Sequence, residues 1–338
     1  MAPPRETGLA AAERFYSTTV APRVVGIPHA AALIGPGSEV LGFDDATSED
    51  HDFGTRVQLF AADAAGAGAL AIATESLRSG TIETWAAPDF FAARLGFDAP
   101  EPPTFAQWLA TPTQVLAELT GGGVFHDDDV LAPRRANLKW YPEDVWRLVL
   151  AAAWLRVAQH QPLHGRAGLV GDALSARVMA ARLAHDAMRL TFLIERRWAP
   201  YDKWLGTALR TTALGEQVES GLEAALAGRD AKRQAERLNG VFGVLGDATN
   251  SLDLAPAVPT APVRFWSRDI WTIGADRFTL ALTAAIRAAA IRDYVRSFGT
   301  REGENGVGPV PHLPGAIDQS SDSVDLVANV TLRRQLYP

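Results

Sequence analysis

Two patterns of hydrophobic and polar positions divide the chain. In roughly the first hundred residues, short apolar runs alternate with turns, as strands and short helices do. Leu9, Phe15, Tyr16 and Val20 share one side of a helix expected over 7–23. The apolar run 30–34 predicts a short buried strand that ends in the turn Gly35-Pro36-Gly37-Ser38. From 51 to 60 the period is two: Phe53, Val57 and Leu59 share a parity with His51, and Asp50, Asp52, Gly54, Arg56 and Gln58 share the other. This predicts a strand with one buried face and its acids on the open face. A helix over 62–78 comes next, then a short strand over 81–85 that presents Glu83.

Beyond 104 the period is helical. Pro142-Glu143-Asp144 places a proline and two acids in a first turn, and the helix continues through Trp146, Leu148, Val149 and Trp154. The longest periodic stretch, 173–198, is stopped by Pro200. Further helices are expected over 203–227, 230–246 and 275–298, with Pro- and Gly-rich loops at 255–264 and 299–315. The organisation read from these patterns is α+β: a small domain with a mixed sheet and flanking helices over 1–103, then a larger α-helical domain over 104–338. Trp140, Trp146, Trp154, Trp198 and Trp204 are expected in the helical core.

Composition narrows the function classes. A length of 338 residues suffices for two ordinary domains, and 47% hydrophobic content supplies a core. There is no cysteine, so disulfides and thiolate metal sites are excluded. Met1-Ala2-Pro3-Pro4-Arg5 is not followed by the apolar core of a signal peptide, and no run is long enough to span a membrane, so a cytoplasmic protein is expected. A net charge of −7 disfavours long nucleic acid as partner and leaves a small molecule, or a partner protein, as the expected acceptor of any group transfer.

The candidate chemistry lies in the turn at 35–38 and in the strand expected after it. A small-residue turn after an apolar run can bring backbone N–H groups close to phosphates. Asp50 and Asp52, at i and i+2 on a strand, would have Cα atoms about 6.5–7 Å apart and can share a hard divalent cation. Gly37-Ser38 followed by Asp50-His51-Asp52 resembles the signature of the nucleotidyltransferase superfamily, which includes DNA polymerase beta and the aminoglycoside nucleotidyltransferases. Residues 37–45, 50–54 and 196–206 further resemble a bacterial nucleotidyltransferase-like family of unknown function, over roughly residues 10–330.

That resemblance implies a Mg²⁺-dependent enzyme with one or two ions, transferring a nucleoside monophosphate from an NTP, by default ATP, and releasing pyrophosphate. Asp50, Asp52 and Glu83 would be the metal ligands and catalytic acids, with Asp63 the second candidate for the third acid. Gly37 and Ser38 would grip the phosphates. Arg56 and Lys203 would neutralise charge, and Tyr201 with Lys203 would close over the cleft. Two other readings stand beside it: a protein-modifying or antitoxin-like nucleotidyltransferase, and a nucleotide-binding module without turnover.

Other polar groups read more plainly. Asp44 and Asp45 are expected to be surface acids of the spacer. His126-Asp127-Asp128-Asp129 is a consecutive run, so a solvated loop or a helix cap is expected. His160 and His164 have a helical metal-ligand spacing, but Pro162 lies between them and no Glu accompanies them, so zinc is not expected. Arg182, His185, Asp186 and Arg189 form a polar patch on the long helix, either lining a cleft or closing an internal ion network. Gly121-Gly122-Gly123 is expected to be a turn.

Overall fold

The computed structural model describes residues 6–43, 56–77 and 82–336. The chain divides into two compact units, residues 1–140 with 323–338, and residues 141–322. The apolar spacing alone predicts a single boundary at 103.

The first unit opens with α1 (Gly8–Phe15), whose N-terminus is capped by the Thr7 side chain accepting from Ala10 N–H. The helical path continues through a π turn over Tyr16–Val20 and a 3₁₀ turn over Ala21–Arg23. Ala12, Tyr16 and Val20 face a core shared with Leu33, Val57 and Leu59, which is the apolar side expected for 7–23.

A four-stranded sheet has the order β3-β2-β1-β4. Its strands are β1 (Ala30–Leu33), β2 (Val57–Ala61), β3 (Ile82–Ala86) and β4 (Gly123–Asp127). β1 is antiparallel to both neighbours, and β2 is parallel to β3. A parallel pair needs a crossover, and α2 (Ala64–Thr74) supplies it. Asp63, the second candidate for the third acid, caps α2 by accepting from Gly66 N–H at 2.8 Å. Every residue of β1 and β2 is buried, including Gln58 at 1% exposure. So the parity of Arg56 and Gln58 is not an open face along the described strand; residues 51–55 lie outside the described residues.

The remaining helices of this unit are α3 (Ala87–Leu95), α4 (Phe105–Ala110), α5 (Thr113–Thr120) and α6 (Ala132–Asn137). β4 sits within the domain expected to be α-helical, where a turn and a loop or cap, but no strand, are expected. The glycine turn before it is required by close packing: a Cβ on Gly122, whose φ is +64°, would lie 2.0 Å from Leu33 O. At its other end Asp127 accepts from the N–H groups of Val130, Leu131 and Ala132 and so starts α6, the cap expected for this run.

The second unit is built around α7 (Glu143–Leu169), which is buried on most of its circumference as a central helix should be. Pro162 lies inside it. Around it are α8 (Ala173–Ile194), α9 (Asp202–Leu209), α10 (Gly215–Ala227), α11 (Ala231–Asn250), α12 (Asp276–Ala284) and α13 (Ala289–Ser297). Two short hairpins are present, β5 (Val263–Arg264) with β6 (Trp271–Thr272), which starts at the end of the loop expected over 255–264, and β7 (Thr300–Glu302) with β8 (Pro309–Pro311), which falls within the loop expected over 299–315. Trp154 stacks on Phe278 at 4.1 Å between ring centroids, and Trp146 Nε1 donates to Leu193 O. The short α14 (Ile317–Ser320) closes this unit.

The chain then returns to the first unit as α15 (Val324–Ala328) and α16 (Val330–Leu336). Arg333 and Arg334 of α16 donate to Arg94 O and Gly96 O at the end of α3, cations meeting the unsatisfied carbonyls of a helix C-terminus. Among the described residues no helix is long and apolar enough to cross a membrane.

Candidate functional site: the turn after β1

The polar groups of the first unit converge where β1 ends. Ile34 N–H donates to Gln58 Oε1 at 2.9 Å, and Gly35 N–H donates to Glu118 O at 2.9 Å. The chain then turns through Gly35 and Gly37, whose φ values are +91° and +148°. The positive φ of Gly37 is a conformation that L side chains rarely adopt, so the turn favours glycine there. Ser38 O accepts from Leu41 N–H and Phe43 N–H and winds the next turn.

Arg56, at the entry to β2, closes this loop. Its Nη2 donates to Pro36 O and to Glu39 Oε1, both at 2.9 Å. On the other side of β2, Glu83 stands in register with Gln58 across the parallel pair. Gln58 Nε2 and Trp85 Nε1 both donate to Glu83 Oε2, at 3.3 and 3.2 Å. Gln58 thus links the end of β1 to the acid on β3.

Arg94, on α3, is a residue of this site that the sequence pattern does not single out. Its guanidinium lies 3.6 Å above the Phe90 ring and 5.8 Å from the Trp85 ring centroid. It packs on the turn, so that a Cβ on Gly35 would be 3.3 Å from Arg94 Nε. Nη1 donates to Phe90 O, whereas the buried Nε has no hydrogen-bond partner among the described residues. Burial lowers the Arg94 pKa, and the charges of Glu83 and Glu118 oppose that shift. Burial raises the pKa of Glu118 on α5, against a hydrogen bond from Gln114 and the charge of Arg94. The one sign of Arg94 in the sequence is an arginine one turn after Phe90 in a helix ended by Gly96.

This arrangement joins a glycine turn, a carboxylate held by two neutral donors, and two guanidinium groups. Guanidinium groups bind phosphate oxygens through charge-assisted hydrogen bonds, and a partly desolvated one binds them more strongly.

Of the expected site residues, Gly37, Ser38, Arg56 and Glu83 are brought to this end of the sheet. Asp50 and Asp52, with Asp44 and Asp45, lie outside the described residues. Tyr201 and Lys203 belong to the second unit, at the start of α9. Both are exposed, and Lys203 Nζ sits 4.7 Å from the Trp204 ring centroid. The polar patch of α8 is largely an internal network: Asp186 accepts from Arg156 and pairs with His160, and Arg189 donates to Asp318. His164 instead meets Gln234, so the two histidines of α7 do not converge on a metal.

A family model described as a domain of unknown function (DUF4037) matches residues 108–205. The matched segment runs from within α4 into α9. It contains Tyr201 and Lys203 and excludes the turn at 35–38 and Glu83. No curated protein and no solved structure matches the chain.

Proposed function

We propose that this chain is a Mg²⁺-dependent nucleotidyltransferase. It would move a nucleoside monophosphate from an NTP, by default ATP, to a hydroxyl or amine of a small-molecule acceptor and release pyrophosphate. One observation carries the reading. Glu83 stands in register with Gln58 at the end of the sheet where the Gly37-Ser38 turn leaves β1.

In this reading the turn's N–H groups grip the triphosphate. Arg94 and Arg56 supply positive charge, Arg56 by exchanging its bond to Glu39 for one to a phosphate oxygen. Asp50 and Asp52 precede Arg56 by six and four residues. With Glu83 they form a set of hard oxygen donors, which is the type Mg²⁺ takes. Mg²⁺, when bound, neutralises the phosphates and the leaving pyrophosphate. The acceptor's oxygen or nitrogen forms a bond to the α-phosphorus, and the bond from that phosphorus to pyrophosphate breaks. Glu83 either takes the acceptor's proton or completes the metal site.

Thermal denaturation in the presence of ATP, GTP, CTP or UTP, with and without Mg²⁺, tests the reading. It expects at least one nucleotide to raise Tm only when Mg²⁺ is present. No shift with any of the four would overturn it.

A further inference from the structure

The opposite end of β1 carries a second polar cluster, formed by residues that the nucleotide reading does not use. His29 precedes β1 and is 5% exposed. Its Nδ1 lies 2.7 Å from Ile27 O, and a carbonyl only accepts, so Nδ1 carries the proton and Nε2 the lone pair. Nε2 lies 2.9 Å from the Tyr16 hydroxyl, which donates to it.

The sheet register brings the partners. Ala31 pairs with His126 across β1 and β4, and the His29 and His126 rings are 4.6 Å apart. Beyond the end of β4 the chain folds back onto His29. Asp128 N–H donates to His29 O, and Asp128 Oδ2 accepts from His29 N–H, each at 3.0 Å. His126 Nε2 is 3.2 Å from the same Oδ2. Asp127 is turned away to cap α6, so Asp128 alone of this acidic pair meets the imidazoles. The consecutive run expected to be a solvated loop or a helix cap is thus split between a cap and a cluster.

We propose that His29, His126 and Asp128 form a binding site for one divalent transition-metal ion of the zinc and cobalt class. One ligand atom from each residue lies within 4.8 Å of the others. Two imidazole nitrogens and one carboxylate oxygen make a mixed N/O donor set, which favours Zn²⁺ or Co²⁺ over Mg²⁺, a cation of all-oxygen sites. Ligand atoms around such an ion are about 3.3 Å apart in a tetrahedron, so the set must contract. The side chains of His126 and Asp128 are 39% and 45% exposed and have room to rotate inward. Binding at His29 Nε2 takes the acceptor of the Tyr16 hydroxyl, which is the local cost. The Nδ1–H bond to Ile27 O stays and orients the ring, as the outer hydrogen bond of a metal-bound histidine does. Three protein ligands on a part-exposed surface leave a coordination position open. At the rise of a strand, His29 and Gly35 are roughly 20 Å apart, so this site is separate from the turn.

The test is a Co²⁺ titration of the untagged, chelator-stripped full chain, followed by visible absorption and by Tm. The expected result is one equivalent bound with visible bands, displaced by Zn²⁺ and unaffected by equimolar Mg²⁺. His126→Ala and Asp128→Asn should each weaken binding at least about tenfold with an unchanged circular dichroism spectrum. Asp129→Asn, a neighbouring non-ligand that tolerates the left-handed backbone there, should bind as the parent does. If one ligand variant loses its fold, the other decides. Absence of Co²⁺ bands, or equal binding by both ligand variants and the parent, would overturn the proposal.

Discussion

The two units set incompletely bonded guanidinium groups in different company: Arg301 in the second leaves Nε without a partner among the described residues but is held by the Asp276 carboxylate, whereas Arg94 in the first donates only to a carbonyl among the described residues. In the second, Asp276 and Asp144 each accept several hydrogen bonds, some from distant segments. Asp276, fully buried, accepts from two Arg301 nitrogens and from Glu304 N–H. Asp144 accepts from the N–H groups of Arg287 and Ala288 and from Arg147. In the first unit Arg94 Nε is buried without a partner among the described residues, beside a Glu118 whose pKa burial raises. Multiply bonded acids hold distant chain segments together. Unsaturated groups that converge on a backbone turn mark a place where a ligand can complete the bonding. The difference separates polar residues that serve the fold from polar residues available for chemistry.

The largest effect that can break this comparison is at Asp276. Asp276→Ala leaves Arg301 and Glu304 N–H without their acceptor and should cost about 3–5 kcal/mol in chemical denaturation of the second unit. A loss under about 1 kcal/mol would remove the structural half of the contrast. Next comes pH. Burial, reinforced by the charge of Asp276, raises the Glu304 pKa to about 7. The folded state therefore holds this proton more tightly than the unfolded chain does. That contribution is fully present below the unfolded carboxyl pKa and is lost as pH rises to about 7. Stability should fall across this window by roughly 3 kcal/mol, and Glu304→Gln should flatten the profile.

Smaller effects sharpen the other half. Glu83→Gln keeps an acceptor for Gln58 and Trp85, so stability should change by less than about 1 kcal/mol. Nucleotidyl transfer, followed by pyrophosphate release, should fall about 100-fold, a barrier change of about 2.7 kcal/mol. Arg94→Met keeps the apolar contact with Phe90 and removes the unpartnered Nε. It should alter stability by no more than about 1 kcal/mol while weakening nucleotide binding about tenfold by calorimetry. If Arg94→Met destabilises strongly, Arg94 belongs with Asp276 and not with the site.

Elements carried by their own periodicity were legible in the sequence. β1, β3, α7, α8 and α11 fall where apolar spacing placed them. The misses came from bonds made across long separations. β4 was missed because Gly123–Asp127 is an edge strand with a half-exposed, polar pattern and no apolar alternation. The stretch expected as one helix over 203–227 is two, because the Glu195 carboxylate accepts from Ala213 N–H and Leu214 N–H and starts α10 there. Of the candidate site, the turn and Glu83 were legible because glycine pattern and strand parity are local. Arg94 was not, because its placement depends on α3 packing on the turn and on α16 capping α3. The same holds for His29, His126 and Asp128, which lie nearly a hundred residues apart in sequence and meet only through the register of β1 and β4.

The most direct test of the nucleotidyltransferase reading is calorimetric titration of the full chain with a non-hydrolysable ATP analogue and Mg²⁺, beside the Asp50→Asn/Asp52→Asn double variant. The account predicts Mg²⁺-dependent binding by the parent that the double variant loses while keeping its fold. Binding that is unchanged in the double variant, or absent in the parent with ATP, GTP, CTP and UTP analogues alike, would contradict it.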